Sequence, residues 1–521
     1  MRLPELTGLP SSADPEITGV TEDSRRVGPG MVFVAVPGSA LDGHAFVADA
    51  VSRGAVAIVA ERDVAAAVPV VRVPSGRSAL AEMAARFYGH PARELDIIGF
   101  TGTFGKTSTS DVLRQLLDAA GRHTGILGSL GARYGSCALS SMGLTTPAPV
   151  ELHAALRGLR DAGADTVIME VTSHALRMER VRGLTFAGGI LAAIMPGEHT
   201  DFHRTYDDYV DAKRLFLEYL SPGVLLAYDA DNRASRMLAS EAHVDRTAGF
   251  SLVSVLPVED LPPNQPPPRL RRSAGALRAK AEGGSHRVEE GGGGYRVEKE
   301  AGKRVTRITL EHVRLGADGA RFTIQGETMH STLMGRGHLR NVALAATYAL
   351  ASGVPSAAVR DVLGHLAPLR RRMERYQVKG REILDDTAAH PESFRATFET
   401  VDLIPHSRAA AIYAIRGSRG VDINRRNALA LADLSILHGI DPLIVTASDD
   451  VAGPHDRVSE DEREAALDAI ACRGQQYVFE PELDAALRMA MEATAPGDLV
   501  LLLGAQGMDR GRDLIELERT S

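Results

Sequence analysis

The sequence contains only two cysteines, Cys137 and Cys472, and they lie far apart along its 521 residues. Two cysteines cannot build a disulfide framework or a zinc site made of cysteines alone, and so few are typical of a reducing compartment. We therefore expect a cytoplasmic protein.

Long hydrophobic runs are also missing. The longest, such as Ala55–Ala60 and Leu499–Leu503, have the length of a β-strand and are far shorter than a membrane span. The N-terminal residues show no basic start followed by an apolar stretch, so no signal peptide is predicted. An excess of positive charge is absent too, because the formal net charge is −8. We therefore expect no nucleic-acid partner and no membrane partner.

The composition that remains is globular, with 44% hydrophobic and 24% charged residues, in a chain long enough for two to four domains. Short β-branched runs alternate with amphipathic stretches, which is typical of α/β layers with mainly parallel sheets. We predict domains at 1–92, 93–375 and 376–521, and we find no internal repeat. The predicted elements include the strands Val32–Val36, Leu95–Phe100, Thr166–Glu170 and Leu499–Leu503 and the helices Ser78–Tyr88 and Asn341–Ser352.

Residues 257–303 stand out by their proline and glycine clusters and dense charge. Such a segment cannot bury enough apolar surface to offset the entropy lost on ordering. We therefore predict a flexible insertion there.

The strongest local signal is IIGFTGTFGKTSTSDVLRQLL, residues 97–117. A β-branched strand leads into Gly102–Thr107, and an amphipathic helix follows at once. Glycines let backbone N–H groups close around phosphate oxygens, and the N-terminus of a helix adds positive potential. The Lys106 ammonium is expected to reach the β- and γ-phosphates, while the Thr107 hydroxyl ligates Mg²⁺. Phe100 stands where the full motif has its first glycine, so a glycine-rich turn with a solvated lysine is the alternative.

This loop, together with the motifs given below, resembles the corresponding motifs of the Mur ligases, which add amino acids to UDP-N-acetylmuramic acid, and most closely those of the MurE type. The resemblance covers nearly the whole chain apart from residues 257–303. It implies an α/β fold with three domains, of which the central one carries the phosphate loop and the C-terminal one is Rossmann-like. It also implies ATP and Mg²⁺ as cofactors, small-molecule substrates as partners, and a monomer or small homo-oligomer.

The resemblance assigns roles to individual residues. The segment TEDSRRVGPGMVFVAVPGSALDGHAF resembles the part of MurE-type enzymes that holds the uridine diphosphate, GLTTP resembles their TTP motif, and MEVTSHAL resembles MEVSSHAL. The implied substrate contacts are Ser24, Arg25, His44, Thr145, Thr146, Ser173 and Arg180. The implied ATP contacts are Gly102, Thr103, Gly105, Lys106, Thr107, Ser108, Asn341, Arg372 and Asp386.

Metal ligands and catalytic groups follow from the same comparison. Glu170, at the end of a predicted buried strand, corresponds to a Mg²⁺ ligand, and a strand-end salt bridge is the alternative. In GEHTDFHRTYDDYVDAKRLF, His199 corresponds to the histidine that helps to hold a second Mg²⁺. Lys213 corresponds to the lysine that is carbamylated in this family. Together with Lys106 and Thr107 these residues form the implied catalytic and metal-binding set.

The chain also departs from the family pattern. Phe104 replaces an asparagine of the phosphate loop, Ile194 and Glu198 replace an asparagine and an aspartate, and Arg371 replaces the glycine of GRME. No DNPR-like segment occurs in residues 445–462, although MurE-type enzymes use its arginine on the incoming diamino acid. The usual GKGHE is replaced by the residues at 504–509. The identity of the amine acceptor therefore stays open.

The expected reaction activates a carboxylate as an acyl phosphate and couples it to an amine, in the MurE manner on a UDP-MurNAc-peptide. One alternative is the same chemistry on a substrate without UDP-MurNAc, as in cyanophycin, poly-glutamate or natural-product synthesis. Another is a non-catalytic binding homologue, which Phe104 and Ile194 would allow. The joint retention of five residues argues against that last alternative: Lys106, Thr107, Glu170, His199 and Lys213.

Overall fold

A computed structural model of the chain describes residues 1–9, 15–38, 41–140, 143–197, 202–252, 255–257, 289–290, 296–300, 303–454 and 456–517. The described residues fall into two compact units. The first unit draws on the ranges 1–251, 280–309 and 343–362, and the second on 252–279, 310–342 and 363–521.

The first unit opens with a small parallel sheet whose four strands pair in chain order. Its elements are α1 (Leu3–Thr7), β1 (Gly19–Thr21), β2 (Met31–Val34), α2 (Val47–Ser52), β3 (Ala57–Ala60), β4 (Val70–Arg72) and α3 (Gly76–Phe87). The strands β2 and β3 are apolar along nearly their whole length and are buried there, as expected of parallel strands that are covered on both faces.

A second, larger sheet of the first unit positions the phosphate loop. Its elements are β5 (Asp96–Thr101), α4 (Lys106–Ala119), β6 (Thr124–Gly128), β7 (Gly131–Tyr134), β8 (Cys137–Ser140), α5 (Pro149–Asp161), β9 (Thr166–Glu170), α6 (Ser173–Arg177), β10 (Phe186–Leu191), α7 (Tyr206–Arg214), β11 (Leu220–Asp229), α8 (Arg233–Glu241) and β12 (Arg246–Leu252). The strands run parallel in the order β12-β11-β10-β5-β9-β6; beyond β6 the sheet continues with β7, antiparallel to β6, and then β8, antiparallel to β7. The carboxyl ends of the parallel strands β10, β5, β9 and β6 therefore share one edge, where ligands bind in open α/β sheets.

Residues 255–363 alternate along the chain between stretches of the first unit and stretches of the second. Their elements are β13 (Val255–Pro257), β14 (Glu289–Glu290), β15 (Arg296–Glu300), β16 (Lys303–Gly316), β17 (Gly319–Ile324), β18 (Glu327–Ser331), α9 (Gly335–Ser352) and α10 (Ser356–Leu363). Parts of the segment predicted to be flexible thus form strands, since β14 and β15 lie within 257–303. Antiparallel pairing of β14 with β15 and of β15 with β16 supplies the backbone hydrogen bonds that the composition does not reveal. Most of the remaining residues of 257–303 lie outside the described residues.

The second unit contains a separate sheet with the order β19-β20-β24-β21-β22-β23. Its elements are β19 (Glu374–Val378), β20 (Arg381–Asp386), α11 (Pro391–Val401), β21 (Ala409–Ala414), α12 (Val421–Leu437), β22 (Ile440–Thr446), α13 (Glu460–Cys472), β23 (Val478–Phe479), α14 (Leu483–Ala493), β24 (Leu499–Leu503) and α15 (Gly511–Leu517). All neighbouring strands are parallel except β19, which pairs antiparallel with β20. Every residue of β21 and β24 is buried, so the core lies on both faces of this sheet.

The α/β prediction with mainly parallel sheets is confirmed, and the predicted strands Thr166–Glu170 and Leu499–Leu503 have the bounds that the structure gives them. Within the described ranges no helix is both long and apolar enough to cross a bilayer. The domain boundaries near residues 92 and 376, the cytoplasmic location and the oligomeric state stay predictions.

Candidate active site

The phosphate loop lies between the end of β5 at Thr101 and the start of α4 at Lys106. A Cβ atom at Gly102 would lie 2.6 Å from the Cβ atom of Ala192, so only glycine fits this close approach to the chain that follows β10. Gly105 has φ +79°, a left-handed conformation that glycine adopts without steric cost. Both predicted glycines thus have a geometric reason, and the loop ends at a helix N-terminus, as a phosphate site requires.

Two side chains hold this loop. The Lys106 ammonium donates to the carbonyl oxygens of Gly102 (3.0 Å) and Thr103 (3.1 Å), so it extends across its own loop. The Thr103 hydroxyl accepts from the backbone N–H of Met195 (2.9 Å) and shares a hydrogen bond with the Tyr209 hydroxyl (3.1 Å). Ser108, in the first turn of α4, is half-buried, and so is Phe104, the residue that departs from the family.

The Glu170 carboxylate lies at the end of β9 and is only 1% exposed. It accepts hydrogen bonds from the hydroxyls of Thr107 (3.2 Å) and Ser129 (3.2 Å) and from the backbone N–H of Ser129 (3.2 Å). No lysine or arginine in the described part of the chain forms an ion pair with it, so the salt-bridge alternative finds no support there. A buried carboxylate without a cation is unfavourable, and carboxylate and hydroxyl oxygens are ligands that Mg²⁺ prefers. The chemistry of Thr107 and Glu170 therefore fits the implied metal ion.

The residues of the TTP motif meet the same carboxylate. The Thr145 hydroxyl shares a hydrogen bond of 3.0 Å with the Ser129 hydroxyl, which in turn bonds to Glu170. The buried Thr146 hydroxyl donates to the backbone carbonyl oxygen of Glu170 (2.9 Å), and the Arg180 guanidinium donates to the carbonyl oxygen of Thr146 (3.0 Å). The fold thus brings the implied substrate motif within two hydrogen bonds of the phosphate loop.

A histidine that sequence reasoning did not single out lies beside this cluster. His203, which is 2% exposed, places its Nε2 atom 2.9 Å from the Ser173 hydroxyl and its Nδ1 atom 3.5 Å from Asp208. The Asp208 carboxylate also pairs with Arg177. His203 therefore fixes the side chain of Ser173, an implied substrate contact. The signal was present in DFH, four residues after His199.

Lys213, on α7, is 1% exposed. Its ammonium donates to the carbonyl oxygen of Gly102 (3.0 Å) and to the Thr101 hydroxyl (3.3 Å), and it lies 4.8 Å from the ring centre of Tyr209. The structure therefore brings Lys213 to the phosphate loop from a position more than a hundred residues away. His199 lies outside the described residues, and the described ranges contain no group of three or more His, Cys, Asp or Glu side chains suited to a metal. The second metal site stays a prediction.

The implied uridine-diphosphate contacts lie on the small sheet. Ser24 is buried at the start of a 3₁₀ turn, whereas Arg25 is exposed and pairs with Asp23. His44 is buried, and its ring bonds to Asp42 (2.6 Å) and accepts from the backbone N–H of Glu61 (3.1 Å). Since both ring nitrogens are used within the fold, His44 stabilises the turn, and its contact with a substrate stays a prediction.

The remaining implied ATP contacts lie in the second unit. The Arg372 guanidinium donates to the Thr387 hydroxyl, and the buried Asp386 carboxylate accepts from the Thr397 hydroxyl (2.6 Å) and the backbone N–H of Met373 (3.1 Å). Burial raises the pKa of Asp386, and these hydrogen bonds oppose the rise. Asn341 is half-buried in α9.

Comparison with known proteins shows the family to which this chain belongs. Family models match three segments: the Mur ligase family catalytic domain at residues 16–88, the Mur ligase middle domain at 100–254 and the Mur ligase glutamate ligase domain at 371–506. The chain is 32% identical over 506 residues to a UDP-N-acetylmuramyl-tripeptide synthetase of Roseiflexus sp. (strain RS-1), which covers 94% of this chain and 90% of that protein.

The chain belongs to the Mur ligase family.

Solved structures agree on the fold of this Mur ligase. A UDP-N-acetylmuramoyl-L-alanyl-D-glutamate–2,6-diaminopimelate ligase superposes with a TM-score of 0.62 at 17% identity, covering 100% of both chains. A MurF ligase from Thermotoga maritima in complex with ADP gives a TM-score of 0.57 at 19% identity, covering 99% of both chains. The predicted three-domain Mur ligase architecture is confirmed. The enzyme is an ATP-dependent, ADP-forming carboxylate–amine ligase that uses ATP and Mg²⁺.

The acceptor end of this Mur ligase, by which we mean the loop after β21 and residues 445–462, is held by two carboxylates. The buried Glu462 carboxylate accepts from the backbone N–H groups of Ser418 (3.2 Å), Arg419 (2.8 Å) and Gly420 (2.6 Å), and so fixes the glycine-rich loop after β21. Within 445–462, where a DNPR-like segment is missing, Asp450 accepts from the N–H groups of Leu483 (2.8 Å) and Asp484 (3.2 Å). This carboxylate therefore holds the start of α14.

We predict that His203 makes folding of this Mur ligase sensitive to acid. Burial lowers the pKa of His203 below its ordinary value of 6.5, and the nearby Asp208 opposes the shift. Below a pH of about 6.5 the histidine of the unfolded chain binds a proton that the ring in the folded protein does not, so the free energy of unfolding decreases as the pH is lowered. The variant His203→Gln is expected to lose less stability between about pH 7.5 and about pH 5.5, measured as the urea midpoint of unfolding.

Two further histidines with a lowered pKa, His153 and His338, are an internal control for this measurement. Burial lowers the pKa of His153 and of His338 to about 4, and both residues titrate equally in the wild type and the variant. Equal losses of stability in the two proteins would contradict the assignment of a neutral, buried His203.

Proposed function

We propose that this enzyme is a MurE-like ligase that couples an amino acid to the carboxylate of a UDP-MurNAc-peptide. One observation carries the proposal: the Glu170 carboxylate accepts from Thr107 of the phosphate loop and, through Ser129, connects to Thr145 of the TTP motif. Groups for a nucleotide and groups for a second substrate therefore converge on one buried carboxylate at the carboxyl edge of the sheet.

The chemistry requires activation, because amide formation in water is uphill. An oxygen of the substrate carboxylate attacks the γ-phosphorus of ATP, ADP leaves, the amine attacks the acyl carbon, and phosphate departs. Phosphoryl transfer depends chiefly on positioning and on neutralising charge. Mg²⁺ would be held by Thr107 and Glu170 and would supply part of that neutralisation.

Residues of the chain supply the rest. In this proposal the loop 102–107 binds the phosphates through its backbone N–H groups, and the Lys106 ammonium, now on the carbonyl oxygens of its own loop, turns to the β- and γ-phosphates. Ser173, fixed by His203, and Arg180 orient the carboxylate substrate. Asn341, Arg372 and Asp386 contact the nucleotide.

The N-terminal segment and the relatives support the choice of substrate. Ser24, Arg25 and His44 stand in a segment that resembles the uridine-diphosphate site of MurE-type enzymes. The Roseiflexus relative is a tripeptide synthetase by name and matches the chain nearly from end to end. The Thermotoga structure holds ADP, the product expected of the ATP half-reaction.

A second candidate keeps the reaction but uses a substrate without UDP-MurNAc. It is favoured by the acceptor end, where residues 445–462 contain no DNPR-like motif and the Asp450 carboxylate holds the start of a helix. An arginine fork suits a second carboxylate on the acceptor, and Arg457 is the arginine that residues 445–462 contain, so the identity of the acceptor amino acid stays open.

The proposal predicts phosphate release from ATP and Mg²⁺ that depends on both UDP-MurNAc-L-Ala-D-Glu and one amino acid of a panel. The variant Lys106→Ala is expected to lose the activity at least about a hundredfold, because it removes a positive charge from the γ-phosphate. Lys379→Gly serves as the matched control. It removes an exposed lysine from a turn in which φ is already +49°, so the activity should persist.

The outcome of this assay distinguishes the two candidate substrates. Amine-dependent release that fails in Lys106→Ala but not in Lys379→Gly names the acceptor and supports the MurE-like role. A chain that binds ATP but stays inactive with the whole panel refutes the UDP-MurNAc substrate and favours the second candidate.

We also propose that Lys213 is carbamylated in the active enzyme. The nitrogen lies fully buried, 3.0 Å from the carbonyl oxygen of Gly102, and conversion to a carbamate would turn a buried cation into an anion suited to a metal. In ¹³C-labelled bicarbonate the wild type is expected to show a carbamate carbonyl signal by NMR that is missing from Lys213→Met. A wild-type spectrum without that signal, with Mg²⁺ and ATP present, would refute carbamylation.

A further inference from the structure

Arg371 is a buried arginine in a backbone conformation that favours glycine. It is 4% exposed and has φ +59°. Its Nε atom donates to Asp385 Oδ1 (3.1 Å) and its Nη1 atom to the carbonyl oxygen of Ala505 (2.9 Å), and the guanidinium also donates to the carbonyl oxygen of Gly504 and pairs with Asp509. One side chain thus joins the end of β20 to the residues that follow β24.

Two departures from the family pattern meet in this contact. One is Arg371 itself, in the place of the glycine of GRME. The other is the segment 504–509, in the place of GKGHE, which has lost its lysine. The guanidinium bonds to three residues of this segment, so it places a positive charge beside a loop that contains no lysine of its own.

Arg371 also constrains its neighbour Arg372. The residues on both sides of Arg372 are left-handed, Arg371 at +59° and Met373 at +53°. The backbone N–H of Arg371 donates to Glu374 Oε2 (3.0 Å), and its carbonyl oxygen accepts from the N–H of Thr387 (3.0 Å). The backbone that carries Arg372 is therefore held from both sides.

This arrangement is energetically unfavourable as simple packing. An arginine at positive φ is strained, and a buried ion pair loses more hydration than its attraction returns unless its geometry is good. Burial raises the pKa of Asp385 to about 7 although the Arg371 guanidinium opposes the rise, and Asp385 Oδ2 has no hydrogen-bond partner among the described residues. Strain and imperfectly satisfied polar groups of this kind concentrate at functional sites.

We infer that Arg371 is a positioning residue for nucleotide binding. It fixes Arg372 and Asp386 at the carboxyl edge of the sheet of the second unit and holds the loop 504–509 beside them. Asp386 pairs in register with Leu503, so the loop begins directly next to it. The inference rests on the use of ATP and on the proposed role of Arg372, and not on the identity of the amine or of the carboxylate substrate.

The test is the affinity of the full chain for ATP with Mg²⁺, measured by calorimetry. The double variant Arg371→Gly/Asp385→Asn restores the glycine and leaves no unpaired buried charge. Its ATP dissociation constant is expected to rise by about tenfold or more, as is usual when a side chain that orients a ligand contact is removed. Arg371→Lys, which keeps the charge but not the fork, should fall between the double variant and the wild type.

Arg370→Gly is the matched control. Arg370 precedes Arg371, is half exposed and pairs with Asp513 on the surface, so the ATP affinity of this variant should stay within about twofold of the wild type. Amide hydrogen exchange provides a second readout, since the peptide that covers 504–509 should exchange faster in the double variant and not in the control.

A merely structural role would lower the melting temperature and leave the ATP affinity of the folded protein unchanged. An ATP dissociation constant within about twofold of the wild type in the folded double variant would therefore overturn the inference. Should the double variant fail to fold, Arg371→Lys decides by the same criterion. Absence of ligase activity with UDP-MurNAc-L-Ala-D-Glu would refute the proposed substrate and leave this result valid, because ATP binding needs no second substrate.

Discussion

The candidate site depends on a single buried carboxylate, that of Glu170. A carboxylate at 1% exposure without an ion-pair partner among the described residues is tolerated only where donors surround it, and here Thr107 and Ser129 provide them. The carboxylate is placed by strand pairing, since β9 pairs in register with β5 and sets Glu170 opposite Phe100, just before the phosphate loop. Its neighbour on the other side is Gly128 of β6, where a Cβ atom would lie 2.2 Å from Glu170 Oε1.

Residues that are distant in sequence meet at the carboxyl edge of the large sheet. Lys213 reaches the carbonyl oxygen of Gly102 from α7, and Thr103 is bound to Tyr209 of the same helix. Helix α7 therefore supports the phosphate loop from one side, while β9 and the TTP motif support it from the other. Catalytic positioning of this kind needs rigid elements under each reacting group, which strand ends and a short helix provide.

Local sequence patterns predicted the strand, the glycine turn and the helix around the phosphate loop, because these three elements follow one another directly. Glu170 was assigned by the resemblance of MEVTSHAL to a family motif, at the end of the predicted strand Thr166–Glu170. Ser129 and His203 were not singled out because their partners, Glu170 and Ser173, are 41 and 30 residues away. His203 stands in the quoted DFH segment, but nothing local shows which residue it contacts.

Other differences between the predicted elements and the structure involve contacts between residues that are distant in sequence. Helix α9 begins at Gly335, before the predicted start at Asn341, and a Cβ atom at this glycine would lie 2.3 Å from the Thr400 hydroxyl oxygen. Strands within 257–303 form through backbone pairing, which composition does not encode. Arg371 was visible as a departure, but its role appears only when the loop after β24 lies beside it.

The central claim, that Glu170 and Thr107 hold the Mg²⁺ that accompanies ATP, is tested most directly by the isosteric variant Glu170→Gln. The measurement is the ratio of the ATP dissociation constants without and with Mg²⁺, in the wild type and in the variant. The account predicts that Mg²⁺ strengthens ATP binding in the wild type and that this gain falls by about tenfold or more in the variant, while ATP binding without the metal changes little. An equal gain from Mg²⁺ in both proteins would contradict it.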